Sequence, residues 1–197
     1  MKYILSLVAS IFLGTVGVSS YNFHTGFDQI RAATWQLTGE QGTCSAVAIK
    51  PDVLLTAAHC DQKDMLINGK TAIKVKKDES TDLMLLYVPT LNSPVVSVAD
   101  ESPEQDTPVV ASGYPLGQGP HLTEGRMQYK EEGGYMRTTT PIVFGNSGGG
   151  MFAFDGFSYK LVGINSAIAV APIGFFPIPV FHMSRVSSTE AIQEFLK

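Results

Sequence analysis

Two short segments of the sequence place a histidine and a serine in settings that suit nucleophilic catalysis. Ser147 lies among glycines in the segment GNSGG, and His59 ends the apolar run LLTAAHC, directly before a cysteine. A neutral imidazole can accept the proton of a serine hydroxyl and later return it to a leaving group, provided that an acceptor on its other nitrogen holds the ring in one tautomer. The pair therefore calls for a buried carboxylate.

Asp82 is the carboxylate that we expect to orient His59. It opens the apolar run DLMLLYV, and an acidic residue at the entrance of a buried strand is more often a positioned group than a solvated one. The other aspartates nearby, Asp61, Asp64 and Asp78, lie in polar, lysine-containing segments that are typical of surface charges. The interval between His59 and Asp82 is short, which keeps Asp64 open as the alternative.

The segment around Ser147 also satisfies the pattern G-x-S-x-G, the nucleophile elbow of α/β-hydrolases. That elbow requires a helix directly after the serine, whereas glycines here lead into MFAFDG, which alternates like a strand. The triad order of such enzymes would also require an acid and then a histidine downstream, which leaves only Asp155 and His182. The sequence context therefore disfavours an α/β-hydrolase.

The N-terminal residues are typical of an export signal. A lysine at the second position precedes the apolar run YILSLVASIFLGTVGV, and no acidic residue interrupts it. Val18 and Ser20 supply the small residues expected before a cleavage site, so we expect residues 1–20 to be removed and the exported mature chain to begin at Tyr21. An uncleaved membrane anchor formed by residues 3–18 is the alternative, although that run is shorter than the about 20 residues needed to span a bilayer.

Export determines what the only two cysteines, Cys44 and Cys60, can do. An oxidising compartment allows a disulfide to persist, and closing a loop of about 16 residues contributes about 3 kcal/mol in the chain-entropy model. Two buried free thiols are the alternative. No odd cysteine is left over and no histidine stands at the spacing of CxxC-type metal sites, so we expect a disulfide between these residues and no metal site.

The elements that must position these residues are strands. Of the 197 residues, 44% are hydrophobic and 16% are charged, a balance typical of a folded globular chain. The net charge of −4 is mild, and no run of Lys and Arg indicates a nucleic-acid partner.

Short runs rich in β-branched residues and separated by Gly, Pro, Asn and Asp predict an all-β fold. These runs are CSAVAIK, DVLLTAA, MLINGK, TAIKVKK, DLMLLYVP, PVVSVAD, PVVASGYP, YMRTTTPIV, GMFAFDG and YKLVGINSAI.

Two further features describe the organisation of the chain. The acidic, proline-bearing segment ADESPEQDTP, residues 99–108, suits a connection between two β halves. Near the C-terminus, Ser187 and Glu190 have the S-x-x-E spacing of a capping box ahead of AIQEFLK. We therefore expect one short C-terminal helix over about residues 188–197.

The segments TAAHC, DLMLL and GNSGG, in that order, resemble the three signature segments of the chymotrypsin/trypsin-like serine peptidases. The segment GYPLG at residues 113–117, and an asparagine rather than an aspartate in GNSGG, resemble the bacterial branch that includes the glutamyl endopeptidases and the HtrA peptidases. The resemblance extends over about Ala32 to Ile168. It implies two perpendicular six-stranded antiparallel β-barrels, about residues 30–100 and 107–186 of a single peptidase domain over 21–197, with the active site between them. No PDZ domain is expected.

The resemblance also implies roles for individual residues. Ser147 would be the nucleophile of a serine endopeptidase, His59 the general base and then the general acid, and Asp82 the residue that orients the imidazole. The backbone N–H groups of Gly145 and Ser147 would form the oxyanion hole, and the hydroxyl of Ser166 would help to hold Asp82. We expect a peptide or protein substrate, no cofactor, and membrane contact only if the N-terminal segment is not cleaved.

Substrate preference is predicted from the positions that resemble the family's pocket. The segment GINSAI matches the strand that pairs with the substrate backbone, an arrangement that gives affinity for any extended peptide. Pro141 stands at the base of the pocket, where no acid is available for Lys or Arg, and Asn165 replaces the histidine that a glutamyl preference requires. An apolar, shallow lining favours a small or aliphatic residue before the scissile bond. The predicted substrate-binding residues are Pro141, Ile142, Val143, Ser166, Ala167 and Ile168.

Three further points bear on how such an enzyme would work. A catalytically silent binding homologue on the same fold is the alternative to an enzyme, although such homologues usually lose the histidine or the serine, and this chain has both.

Asn146 stands where zymogen-activated relatives carry an aspartate that captures a new N-terminal ammonium, and an amide has no charge for that pair. We therefore expect activity that does not depend on a specific N-terminus. The aromatic segment Ala171 to Phe181 is either a pocket wall and core strand or an exposed loop that contacts substrate, membrane or a partner.

Overall fold

The computed structural model describes residues 26–173 and 176–197, except for the side chains of residues 169–182. The predicted signal segment, residues 1–20, lies outside the described residues. So do the side chains of the aromatic segment Ala171 to Phe181, whose described backbone belongs to two strands. In the part of the chain that is described, no helix is long and apolar enough to cross a membrane.

The N-terminal half is an antiparallel sheet preceded by a helix (α1) over residues 26–33. Its seven strands follow the order β5-β4-β1-β2-β3-β7-β6, so that the long β2 lies near the centre. Burial of one face, including Leu37, Leu54 and Leu86, holds the sheet against the rest of the molecule. The strands are β1 (Thr34–Gly39), β2 (Gly42–Lys50), β3 (Val53–Thr56), β4 (Leu66–Ile67), β5 (Lys70–Thr71), β6 (Ile73–Asp78) and β7 (Leu83–Tyr87).

The C-terminal half is a closed six-stranded antiparallel barrel with the order β10-β13-β12-β11-β8-β9. Its interior contains the fully or nearly fully buried Met127, Met136, Met151 and Val186, and closure leaves the barrel itself without free edges over the paired residues. The strands are β8 (Pro108–Gly113), β9 (His121–Glu131), β10 (Tyr135–Thr138), β11 (Gly150–Phe154), β12 (Tyr159–Ile173) and β13 (Phe176–Ser187).

One hydrophobic core joins the two halves. The cluster that contains the first sheet also includes Phe152 and Leu161 of the barrel and Ile192 and Phe195 of the C-terminal helix α2 (Thr189–Phe195). Each large apolar side chain that is fully buried contributes about 1.5–3 kcal/mol. The shared core therefore fixes how the halves face each other, and with it any site that takes residues from both.

The predicted all-β, two-unit architecture and the short C-terminal helix are confirmed, with differences of detail. The first unit has seven strands and is not closed, because β4 and β5 have only two residues each and cannot bridge the sheet back to β6. The run PVVSVAD forms no strand and contributes a single bridge between Val98 and Leu161. Helix α1 and strands β1, β9 and β13 were not among the predicted elements. Strands β1 and β9 contain no run of successive β-branched residues.

The predicted capping box at the C-terminal helix is wrong by one residue. The N-cap is Ser188, whose hydroxyl accepts a hydrogen bond from the N–H of Ala191. Ser187 still belongs to β13, and its hydroxyl donates to the carbonyl oxygen of Thr81 in the other half at 2.6 Å. Glu190 accepts hydrogen bonds from Lys130 and Ser102, and these hold its pKa at about 2 although burial raises it. Both residues of the predicted capping box, Ser187 and Glu190, therefore bond to residues distant in the sequence and not to each other's backbone.

Candidate active site

His59 lies in a short 3-10 turn, Ala58–Cys60, which begins where strand β3 ends. The turn is closed by a hydrogen bond from the N–H of Asp61 to the carbonyl oxygen of Ala58 at 3.1 Å. Cys60 forms the predicted disulfide with Cys44 at the start of β2, with a Cα–Cα distance of 6.2 Å. The histidine backbone is therefore tied on one side to β3 and on the other to the neighbouring strand β2.

The side chain of Asp82 holds the ring of His59. Its Oδ2 lies 2.8 Å from Nδ1 of the imidazole, and its Oδ1 accepts a hydrogen bond from the backbone N–H of His59 at 2.9 Å. A carboxylate on Nδ1 selects the tautomer in which Nδ1 carries the proton, which leaves Nε2 as an acceptor. The arrangement meets the requirement for a general base.

Asp82 itself is fixed from both halves of the molecule. It adopts a left-handed conformation with φ of 55°, and the hydroxyl of Ser166 on β12 donates to its Oδ2 at 2.5 Å. Burial raises the pKa of Asp82, but the hydrogen bonds from His59 and Ser166 outweigh this effect, so that the pKa lies below its ordinary value. The carboxylate thus stays ionised beside the imidazole at neutral pH.

The other aspartates that the sequence offered are engaged elsewhere. The side chain of Asp64 is 71% exposed and lies 3.7 Å from the ammonium group of Lys63. Asp61 forms ion pairs with Lys74 and Lys77 at 2.7 and 3.1 Å. Asp82 is therefore the carboxylate that the fold brings to the histidine.

Ser147 lies in the loop between β10 and β11, and the loop is bound to both halves. The carbonyl oxygen of Ser147 accepts a hydrogen bond from the N–H of Ser45 on β2 at 2.8 Å, and it lies 3.7 Å from Sγ of Cys60, the residue after His59. On the barrel side, the N–H of Gly148 donates to the carbonyl oxygen of Asn165 at 2.8 Å. The nucleophile candidate is thus held at the junction that also carries the histidine.

Two glycines are required for this loop to fit. Gly145 has a φ of 95°, and a Cβ there would lie 2.3 Å from the carbonyl oxygen of Tyr114. Gly148 has a φ of 81°, and a Cβ there would lie 2.2 Å from the carbonyl oxygen of Ser45. Both positions combine a backbone conformation that favours glycine with a close approach to another backbone. The glycine-rich segment is therefore tightly packed.

The N–H groups of Gly145 and Ser147 have no hydrogen-bond acceptor among the described residues, whereas the intervening N–H of Asn146 donates to the carbonyl oxygen of Val143 at 3.0 Å. Free backbone donors on either side of a bonded one can converge on an external anionic oxygen. These are the two donors for which the family resemblance implies a place in an oxyanion hole.

The predicted substrate-binding residues lie on strand β12 and in the loop between β10 and β11. Ala167 is exposed, Ser166 and Ile168 lie on either side of it, and this part of β12 pairs with β13 alone among the described strands. Its second edge is therefore open to an added strand. Pro141 and Val143 are half-buried.

Ile142 and three nearby residues with hydroxyl groups are buried in the barrel. Ile142 is only 3% exposed and packs into the barrel core. Behind it, the buried hydroxyl of Thr138 lies 3.0 Å from that of Thr140 and 2.6 Å from that of Ser184, the strand partner of Ile168. Hydroxyls that bond to one another are satisfied without a ligand.

Asn146 is buried, and its Oδ1 has no donor among the described residues. The Oδ1 of Asn165 is also buried without a donor among the described residues, while the Nδ2 of Asn165 donates to the carbonyl oxygen of Ser112 at 3.0 Å. Neither amide makes an ion pair. The loop that carries Ser147 is therefore held by backbone hydrogen bonds and by neutral side chains.

The ligand atoms of Cys44, His59 and Cys60 lie within 4.8 Å of one another. Both sulfur atoms are joined in the disulfide, so neither is the thiolate that a metal ion would require. Sequence reasoning missed one residue of this junction, Ser45. The only signal for it was its place directly after Cys44.

The fold is that of chymotrypsin-like serine peptidases. The family model of the trypsin-like peptidase domain matches residues 44–164, which is more than half of the chain. The chain therefore belongs to the trypsin-like peptidase domain family and is a serine endopeptidase by family. A search of curated proteins found no match.

Solved structures of several bacterial proteases share the fold. The active form of the Rv3671c protease from M. tuberculosis superimposes with a TM-score of 0.74 at 18% identity, covering 90% of this chain and 85% of that one. The serine endoprotease from Yersinia pestis gives 0.72 at 22% identity, with 86% and 65% coverage. The HtrA-type protease AlgW with a tripeptide gives 0.73 at 24% identity, with 87% and 61% coverage. This chain spans less than two thirds of the last two proteins.

Proposed function

We propose that this protein is an exported endopeptidase that cleaves peptide bonds through an acyl-enzyme on Ser147, with His59 and Asp82 completing the catalytic triad. The observation that carries the proposal is the pair of hydrogen bonds from His59 to Asp82, one from Nδ1 at 2.8 Å and one from the backbone at 2.9 Å. Together they fix both the ring and the main chain of the proposed general base, as its role in catalysis requires.

In the first half of the reaction, the Oγ of Ser147 attacks the carbonyl carbon of the scissile bond while Nε2 of His59 takes the hydroxyl proton. The carbonyl oxygen becomes an oxyanion that accepts hydrogen bonds from the N–H groups of Gly145 and Ser147. The imidazolium then gives its proton to the leaving amine, and the C–N bond breaks. In deacylation, water attacks the acyl carbon while Nε2 of His59 takes its proton. The ester C–O bond then breaks, and the imidazolium gives the proton to the Oγ of Ser147, which releases the acid product.

Asp82 stabilises the imidazolium and takes no proton itself. Its pKa lies below the ordinary value because hydrogen bonds from His59 and Ser166 outweigh the effect of burial, so the proton remains on the imidazole. Removing the corresponding carboxylate in serine peptidases lowers kcat by about 10⁴-fold. We expect Asp82→Asn to act in the same way, through loss of the correct tautomer.

The preferred residue before the scissile bond is small or aliphatic. The proposal is supported by the burial of Ile142 and by the hydroxyls of Thr138, Thr140 and Ser184, which bond to one another and need no partner from a substrate. Pro141 offers no charge to a basic side chain, and one missing methylene in an apolar pocket is worth about 1–3 kcal/mol of discrimination. Profiling with a peptide library should give cleavage after Ala or Val. Dominant cleavage after Lys, Arg, Phe or Glu would contradict this preference.

The assignment of Ser147 is tested with a fluorophosphonate probe, which reacts with serines that are activated by a general base. The wild-type protein should be labelled, and Ser147→Ala should abolish labelling. Ser158→Ala is a matched control, because Ser158 lies in the turn between β11 and β12, away from the junction. If the folded wild-type protein is never labelled, the chain is a silent homologue and the proposed function is wrong.

Export rests on the N-terminal pattern, and the disulfide is consistent with it because such bonds persist in oxidising compartments. N-terminal sequencing of the exported protein should begin at Tyr21. An intact residue 1 on a membrane-bound product would instead indicate an anchor.

A further inference from the structure

Ser45 joins the first sheet to the loop that carries the candidate nucleophile. It lies on β2 directly after the disulfide residue Cys44 and is 0% exposed. Its hydroxyl accepts a hydrogen bond from the N–H of Tyr114 at 2.8 Å and donates one to the carbonyl oxygen of Gly145 at 2.7 Å. Its backbone N–H donates to the carbonyl oxygen of Ser147 at 2.8 Å. One residue thus contacts the loop at two points.

The peptide that the hydroxyl holds lies between the two peptides that carry the free donors. The N–H of Gly145 belongs to the peptide after Phe144, whose carbonyl oxygen accepts a hydrogen bond from Leu116 at 2.8 Å. The N–H of Ser147 belongs to the peptide after Asn146, whose carbonyl oxygen accepts one from Gly149 at 2.9 Å. The peptide between them is the one whose carbonyl oxygen is bound by Ser45.

This middle peptide is held at both of its polar atoms: its N–H, that of Asn146, donates to the carbonyl oxygen of Val143 at 3.0 Å, and its carbonyl oxygen accepts the hydrogen bond from Ser45 at 2.7 Å. The second bond matters because a glycine precedes the peptide. Gly145 has a φ of 95°, and glycine has the widest conformational freedom of any residue. A change of its ψ angle turns the middle peptide and, through it, the direction of the Ser147 N–H relative to the Gly145 N–H. The hydrogen bond from Ser45 opposes that rotation, and the accepted hydrogen bond from Tyr114 fixes the hydroxyl that provides it.

We propose that Ser45 is a positioning residue that keeps the two oxyanion donors convergent, and that it does so from the strand that also anchors the general base. The Cys44–Cys60 disulfide ties β2 to the residue after His59, so His59 and the oxyanion donors share one reference strand. This inference rests on the proposed function, because it assumes that Gly145 and Ser147 bind the oxyanion.

The fold offers a matched control in Ser112 on β8. Ser112 is also a buried serine, and its hydroxyl also bridges the two halves, lying 2.7 Å from that of Thr34 on β1. No described side-chain contact of Ser112 reaches the loop that carries Ser147. Ser45→Ala and Ser112→Ala therefore remove the same kind of group at the same kind of interface, and only the first removes the hydrogen bond to the carbonyl oxygen of Gly145.

The experiment compares steady-state cleavage of a peptide that ends in Ala before the scissile bond, with rates normalised to the sites labelled by fluorophosphonate. Ser45→Ala should lower kcat by about 10- to 100-fold, less than the loss of a whole donor, with KM little changed because substrate binds through β12. Ser112→Ala should leave kcat essentially unchanged. Ser45→Thr, which keeps the oxygen, should restore most of the lost turnover, and Ser45→Gly provides a second deletion of the hydroxyl if Ser45→Ala does not fold.

Inhibition by a peptide aldehyde distinguishes positioning from general damage. The hemiacetal oxygen that forms on Ser147 occupies the oxyanion site, so the affinity of the aldehyde for Ser45→Ala should fall in parallel with kcat/KM. If Ser45→Ala is labelled and keeps wild-type kcat, or if Ser112→Ala loses as much kcat, the inference is overturned and the proposed function stands. If the wild-type protein is not labelled at all, both are overturned.

Discussion

Removal of the Cys44–Cys60 disulfide should lower the stability of the fold by about 3 kcal/mol. The bond joins residues that are 16 apart in sequence, and the chain-entropy model gives about 3 kcal/mol at 25 °C for a loop of that length. For a domain of 150–250 residues each kcal/mol corresponds to roughly 2–4 °C in Tm, so the expected shift is roughly 6–12 °C. A loss of about 3 kcal/mol is a large fraction of the unfolding free energy of a typical folded protein, which is about 5–15 kcal/mol.

The effect should arise mainly in the unfolded state. Cys60 packs in the shared core and Cys44 is half-buried against it, and replacing both with alanine removes only the sulfur atoms from the native packing. The unfolded chain, by contrast, gains the freedom of an open loop. The slope of the unfolding free energy against urea concentration should therefore rise, because a chain without the cross-link exposes more surface.

Urea denaturation of Cys44→Ala/Cys60→Ala measures both quantities. The wild-type protein in excess reductant is the control and should match the double variant, whereas the double variant should not respond to reductant. At temperatures where the variant is folded, fluorophosphonate should still label Ser147, because Asp82 rather than the disulfide orients the ring of His59. A loss of stability below about 1 kcal/mol, or a stable variant with an unchanged slope, would refute the argument from loop closure.

Three further outcomes are expected. Gly148→Ala should lower stability by about 3 kcal/mol in a thermal melt and abolish labelling, because its methyl group would lie 2.2 Å from the carbonyl oxygen of Ser45 at a φ of 81°; a variant of normal stability would show that the loop can move aside. Ser166→Ala should cost about 1.5 kcal/mol at pH 7, because it removes a donor that lowers the pKa of Asp82. A lowered carboxyl pKa stabilises the fold above the unfolded pKa, so the difference from wild type should shrink as the pH falls through the folded pKa, and a constant difference would contradict this assignment. Because Asn146 carries no charge, protein with a few extra N-terminal residues should cleave peptides at the same rate as the mature chain. Activity that appears only after these residues are trimmed would contradict this expectation.

The sequence determined the chemical groups and most of the strands. His59, Asp82 and Ser147 could be recognised because each lies in a short segment whose neighbours are also constrained. His59 stands beside a disulfide cysteine, Asp82 opens a buried strand, and Ser147 lies among glycines. Short apolar runs bounded by turn residues then predicted strands such as β2 and β7, since such runs depend only on residues next to one another in the chain.

Only the tertiary structure decided what depends on residues far apart in the chain. The hydrogen bond from Ser45 to Gly145 spans 100 residues and the one from Ser166 to Asp82 spans 84. For Ser45 no local pattern indicates such a bond, and for Ser166 only the resemblance to a family did.

The same reason explains why the cap moved from Ser187 to Ser188. Ser187 finds a better partner in Thr81, 106 residues away, and a buried hydrogen bond between the two halves overrides a local propensity worth about 1 kcal/mol. The sequence supplies the reactive groups, and packing of the two halves determines which of them meet.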